Sequence, residues 1–79
     1  MYIQVTVDLE HYDQKSIELR LSDQHKIKNL IDITWQTVGL TRNPREGNWI
    51  RIKNKDKVYN GPKTLAECGI ITGDRVEIL

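Results

Sequence analysis

Few side chains in this sequence carry reactive chemistry, and their positions exclude most of it. His11 stands between Glu10 and Tyr12 in a polar stretch with no nucleophile beside it, and His25 falls where a helix is about to begin. A positive helix terminus there disfavours the charged imidazole. Both histidines read as ordinary surface residues. With the lone Cys68 they do not make up a zinc site, which needs four ligands, or three and an open position. Asp8, Glu10 and Asp13 gather negative charge but lack the loop glycine and the ligand number of a calcium site. Gly39, Gly47, Gly61, Gly69 and Gly73 stand singly, so no phosphate-cradling loop exists. Cys68, within Leu65-Ala66-Glu67-Cys68-Gly69-Ile70, reads as a small buried hydrophobe rather than a reactive thiol. Neither a catalytic site nor a cofactor or metal site is expected.

The chemistry that remains is recognition. The net charge is only +1, yet its distribution is uneven. Residues 1–23 carry Asp8, Glu10, Asp13, Glu18 and Asp23 against Lys15 and Arg20. Residues 42–63 carry Arg42, Arg45, Arg51, Lys53, Lys55, Lys57 and Lys63 against Glu46 and Asp56. One local basic surface is therefore available. The near-neutral total, and the lack of several aromatics to stack bases, weigh against nucleic acid as its target. Trp49 beside Arg51 combines the two residue types that dominate interface energetics. Trp49, Arg51, Lys53, Lys55 and Arg75 are the expected protein-binding positions, against the alternative of a solvated basic face with Trp49 capping a sheet edge.

Those positions have to be held by regular elements, and hydrophobic periodicity shows which. Ile3, Val5, Val7 and Leu9 alternate with polar residues, as do Ile17, Leu19 and Leu21, so two strands face one core across the polar turn His11–Lys15. The period then changes to that of a helix: Ile27, Leu30, Ile31, Thr34 and Val38 form one stripe, with Trp35 at its edge. Trp35 is expected to pack at the margin of the core. Ser22-Asp23 offers N-cap oxygens and Gly39 a left-handed stop. Residues 49–53 and 58–59 read as further strands joined by the turn Asn54–Lys57. Thr64–Cys68 suits a single helical turn ended by Gly69, and residues 75–79 form the last strand.

The order β-β-α-β-β-turn-β predicts an α+β fold over residues 1–79, a five-stranded mixed sheet wrapped over one helix, with the first and last strands adjacent and parallel. A ferredoxin-like fold needs a second long helix, and nothing after residue 39 supplies one. No apolar run approaches the ~18 residues of a membrane span. No signal peptide is evident, so cytoplasmic residence is expected. A single cysteine fits a reducing compartment. Short, charged edge strands predict a monomer.

The segment Thr64-Leu65-Ala66-Glu67-Cys68-Gly69-Ile70 resembles the TLSDYNI segment of ubiquitin, and the hairpin from Ile50 to Val58 followed by Asn60-Gly61 resembles the one that precedes it there. A closer resemblance is carried by Ile31-Asp32-Ile33, Trp35-Gln36, Pro44-Arg45-Glu46-Gly47, Trp49-Ile50-Arg51, Asn54-Lys55-Asp56-Lys57-Val58, Gly73-Asp74-Arg75 and Glu77-Ile78-Leu79. These are similar to the YukD/EsaB family of ubiquitin-like proteins found with firmicute type VII (WXG100, ESAT-6-like) secretion systems. The resemblance implies a ubiquitin-like β-grasp and a non-conjugated adaptor or accessory component that binds the secretion machinery. The EssB/YukC-like pseudokinase component is the first partner it suggests. A ubiquitin-like modifier or sulfur carrier is the alternative. Such proteins present a flexible Gly-Gly tail, because only glycine lets the backbone into an adenylating site. Here Glu77-Ile78-Leu79 belong to the last expected strand, and the alternative is disfavoured.

Overall fold

The computed structural model describes residues 1–13 and 15–79. The expected turn His11–Lys15 includes Gln14, which lies outside the described residues. Among the described residues five strands and one helix follow in chain order: β1 (Tyr2–Asp8), β2 (Ser16–Ser22), α1 (Ile27–Val38), β3 (Ile50–Ile52), β4 (Lys57–Tyr59) and β5 (Arg75–Ile78). They form a single mixed sheet in the order β2-β1-β5-β3-β4. β1 and β5 run parallel as expected, with Thr6 opposite Arg75 and Asp8 opposite Glu77. The middle strand is β5, which has β3 antiparallel on its other side. With the helix under one face, this is the ubiquitin-like β-grasp.

Strand alternation decides which face is dry. Ile3, Val5, Val7, Leu19, Leu21, Ile50, Ile52, Val76 and Ile78 are all buried and meet Ile27, Leu30 and Ile31 of α1. Each such side chain contributes about 1.5–3 kcal/mol when fully withdrawn from water. Thr34 also lies in the buried stripe, and its hydroxyl donates to the Leu30 carbonyl at 2.8 Å, so no polar atom there is left unpaired. Cys68 is buried as expected, and desolvation pushes its thiol pKa up. Trp35 packs on the margin of this core, its ring edge-on to Tyr12 at 4.8 Å between centroids.

The helix ends as expected but begins later. Gly39 takes φ 73°, ψ 37°, and its N–H donates to the Trp35 carbonyl at 2.9 Å. A left-handed residue at this place is what favours glycine. At the other end the cap is Lys26 rather than Ser22 or Asp23, with the Asn29 side-chain oxygen accepting from the Lys26 N–H at 3.0 Å. Ser22 and Asp23 are used elsewhere. The Ser22 hydroxyl oxygen accepts from Gln24 N–H, and the Asp23 carboxylate pairs with the N-terminal ammonium at 3.2 Å. Three residues, Gln24, His25 and Lys26, separate Asp23 from the helix, and Lys26 makes an isolated bridge to Thr64.

The stretch from 64 to 74 closes the bottom of the core with Leu65 and Ile70. Thr64 and Glu67 cap each other reciprocally: Thr64 N–H donates to the Glu67 carboxylate at 2.9 Å, and Glu67 N–H donates to the Thr64 hydroxyl at 3.1 Å. Hydrogen bonding to the carboxylate by Thr64, from its backbone N–H first and then from its side chain, holds the Glu67 carboxyl below its ordinary pKa.

Candidate functional site

The sheet's second face, away from the helix, carries Arg51, Lys53 and Arg75 of the expected recognition residues. Register arranges them in rows. One row crosses the sheet from Asp8 through Glu77 and Arg51 to Val58. The row beside it contains Thr6 and Arg75, with Lys53 donating its N–H to the Arg75 carbonyl at 2.9 Å. Trp49 just precedes β3, and its carbonyl accepts from the Leu79 N–H at 3.0 Å.

The charges in these rows are largely paired. Asp8 stands at the centre of one cluster, with Lys53 Nζ at 3.1 Å and Arg75 Nη2 at 3.8 Å; Glu10 is 3.7 Å from the same Lys53 ammonium. The hydrogen bond to Asp8, then the attraction of its charge, raises the Lys53 pKa above the ordinary lysine value. A shallow depression is lined by Asp8, Glu10, Lys15, Ser16 and Arg75. Both signs of charge line it, so it offers no uniform field for a charged substrate.

Glu77 stands apart from the other charges of this face. It lies on the outer face but is only 4% exposed. His11 Nε2 comes to 3.1 Å of Oε2, and Arg51 Nη1 stands 3.5 Å from Oε1. A buried carboxylate needs such partners. His11 is therefore a cover for Glu77 as well as a surface residue. His25 is half-buried, and its Nδ1 has no partner among the described residues.

Lys55 is placed apart from Arg51 and Lys53. Its ammonium donates to the Gly69 carbonyl at 2.7 Å and to Asp74 Oδ2 at 2.9 Å. Asp74, 3% exposed, also accepts from the Asn54 side-chain amide at 2.8 Å and the Ile71 N–H at 3.0 Å. Burial alone would raise the Asp74 pKa. The hydrogen bonds from Lys55, Asn54 and Ile71 outweigh it and hold the carboxyl below its ordinary range.

Two apolar side chains near Arg51, those of Trp49 and Val58, are exposed. Trp49 is 46% exposed and Val58 44%. Arg51 sits directly opposite Val58, and Trp49 takes the diagonal position two residues before it. Gly47, at φ 91°, lies under the indole: a Cβ there would stand 2.5 Å from Trp49 Nε1. Val58 was not among the expected binding residues. The pattern Lys57-Val58-Tyr59 does not reveal this; the strand register, which sets Val58 opposite Arg51, does.

Next to this patch the last residues of the sequence are fixed on both sides. Arg75–Ile78 are hydrogen-bonded between β1 and β3. The Leu79 carbonyl accepts from the Tyr12 hydroxyl at 2.8 Å. Tyr12 also accepts from Arg45 N–H at 3.0 Å, and the Arg42 guanidinium lies over its ring while donating to the Tyr12 carbonyl. Trp35 Nε1 completes the knot by donating to the Arg42 carbonyl at 2.6 Å. Among the described residues no group of three or more His, Cys, Asp or Glu side chains could hold a metal ion. No helix there is long and apolar enough to cross a membrane.

Comparison with known proteins agrees with this architecture over its whole length. The family described as "WXG100 protein secretion system (Wss), protein YukD" matches residues 2–78. The chain is 54% identical over 79 residues to the "ESX secretion system protein YukD" of Bacillus subtilis (strain 168), with 100% of each chain covered. A family match over residues 2–78 and a relative of 54% identity along the full length lead to one assignment: the chain belongs to the YukD family of WXG100 secretion-system proteins.

Proposed function

We propose that the protein is a non-conjugated, non-enzymatic adaptor of a WXG100 (type VII) secretion system, working from the cytoplasmic side by protein–protein binding. Family membership supports its place in the system. The observation that carries the binding mode is the pair of exposed apolar side chains, Trp49 and Val58, flanking Arg51 on the outer sheet face. Ubiquitin presents an apolar patch on this face. Here Arg51, its guanidinium paired with Glu77, has Val58 opposite it and Trp49 two residues before it, a combination that suits a partner segment both apolar and acidic. Trp49 and Arg51 form the centre of the proposed surface, and Lys53 and Arg75 its basic margin. Lys55 lies at its periphery, holding the Asp74 loop. The EssB/YukC-like pseudokinase component is the proposed partner. Conjugation or sulfur transfer is the weaker reading, because Arg75–Ile78 are built into the sheet and the Leu79 backbone is bonded to Trp49 and Tyr12.

The test is affinity capture from the native host with wild-type protein, Trp49→Ala and Arg51→Glu, and with Asp32→Asn on the exposed side of α1 as control. Wild type and control should recover the pseudokinase component, and the two face variants should recover about tenfold less or lower. Undiminished recovery by both face variants would remove the proposed surface. Recovery of no secretion component by the wild type would remove the adaptor reading. Intact-mass measurement of the same material checks the alternative: a thiocarboxylate or an isopeptide adduct would establish it.

A further inference from the structure

The sheet has two edges, and they are unlike. β4 is three residues long, in keeping with the expectation of short edges, whereas β2 presents seven residues, Ser16–Ser22. Its pairing with β1 is continuous from Ser16 to Ser22, so no bulge twists the edge away, and the strand contains no proline. Natural sheets use such devices to block foreign strands. The phase of the open edge follows from the bonds at its two ends. Leu9 N–H donates to the Lys15 carbonyl at 2.8 Å, and Asp23 N–H donates to the Met1 carbonyl at 2.9 Å. The odd-numbered residues of β2 therefore turn their backbone groups towards β1. Ser16, Glu18 and Arg20 turn theirs outward, where they have no backbone partner among the described residues.

We infer that β2 is a self-complementary docking edge whose occupant is the β2 strand of a second copy of this chain, paired antiparallel about a two-fold axis at Leu19. In this register Glu18 faces the second copy's Arg20, Arg20 faces its Glu18, and Ser16 faces its Ser22. The Glu18–Arg20 pairs join residues whose backbone groups point outward without a partner, the condition for exchanging N–H···O bonds, whereas the Ser22 carbonyl already accepts from the His25 N–H at 3.1 Å, so the two Ser16–Ser22 pairs contribute less. On the core face, half-buried Ile17 meets Leu21 of the other copy, and Leu19 meets its symmetry mate. The charges select the register. Sliding by two residues in one direction sets Glu18 against Glu18, and in the other sets Arg20 against Arg20. A slip of one residue mismatches the faces. Glu18 and Arg20 thus discourage a strand of arbitrary sequence while matching a copy of themselves. The result is one continuous sheet across both protomers with the two helices on the same side. This edge is separate from the Trp49–Arg51 surface, and the inference holds whichever partner that surface binds.

Sedimentation equilibrium from about 10 μM to about 1 mM is the first measurement, and the wild type should show a reversible monomer–dimer equilibrium. Glu18→Arg and Arg20→Glu, both at exposed positions, should each weaken dimerisation about thirtyfold by setting like charges opposite one another in both pairs. An equimolar mixture of the two variants should recover wild-type strength as a heterodimer, since every cross-strand pair again joins opposite charges. Amide hydrogen exchange of wild type supplies a readout without substitution: the Glu18 and Arg20 N–H groups should gain protection as concentration rises. A wild type that stays monomeric throughout overturns the inference. So do single variants that associate as the wild type does, a mixture that fails to recover, or a dimer that leaves the Glu18 and Arg20 amides unprotected. Addition of a foreign strand at this edge without self-association overturns it equally.

Discussion

Replacing Asp74 by asparagine should destabilise the fold by about 2 kcal/mol at neutral pH, and the deficit should vanish in acid. The carboxylate is 3% exposed and accepts from Lys55, Asn54 and the Ile71 N–H. A hydrogen bond to a charged group contributes about 1.5–3 kcal/mol, but three around one acceptor do not add fully, and water can reach the released lysine. Asparagine keeps one acceptor oxygen and turns an NH₂ group towards donors, so roughly half the total is lost. For a domain of this size about 2 kcal/mol lowers Tm by roughly 8–16 °C. The pH dependence has a definite sign. The folded pKa of Asp74 is depressed, so its contribution is fully present above the unfolded value of about 3.9 and is lost as pH falls through the folded value. Thermal unfolding followed by circular dichroism at about pH 7, 5, 4 and 2.5 measures the gap between wild type and Asp74→Asn. A gap below about 2 °C at neutral pH refutes the reasoning, and so does one of the same size at the most acid point.

Four further outcomes are expected. Tyr12→Phe removes the bonds to the Leu79 carbonyl and from the Arg45 N–H, and should cost about 1–2 kcal/mol in urea unfolding. Its backbone amides near Leu79 should exchange faster. Gly39→Ala places a side chain at φ 73° and should cost about 1 kcal/mol in the same assay, although its Cβ meets open space. Gly47→Ala forces the Trp49 indole to move and should shift tryptophan emission while leaving the core intact. Cys68, buried and with a raised thiol pKa, should react with a thiol reagent only as fast as the protein opens, so added urea should accelerate labelling in step with unfolding.

The elements with a strong internal rhythm were legible in the sequence. Ile3 to Leu9, Ile17 to Leu21 and the stripe from Ile27 to Thr34 each declare a face, and the parallel pairing of β1 with β5 follows from the order of those faces. Gly39 marked the helix end because only a left-handed stop suited it. The helix start was misplaced because Ser22 and Asp23 have good capping chemistry but are committed to Gln24 and the N-terminal ammonium. Local sequence cannot weigh such competition. The same holds for the basic residues: Arg51, Lys53, Lys55 and Arg75 look alike in sequence. Asp8, Glu77 and Asp74 arrive from other segments and decide which cation is paired on the sheet and which is tied to a loop. Glu77 carried no local sign that His11 would cover it.

The seating of Leu79 also affects how the protein can be handled. Its N–H is bonded to the Trp49 carbonyl and its own carbonyl to the Tyr12 hydroxyl, so anything fused after it emerges next to the Trp49 backbone. An affinity tag or fluorescent protein attached there would crowd the Trp49–Arg51 patch, and a failed capture could then be mistaken for lack of a partner. Met1, 85% exposed at the opposite end of β1, is the better attachment point, at the expense of one surface ion pair with Asp23.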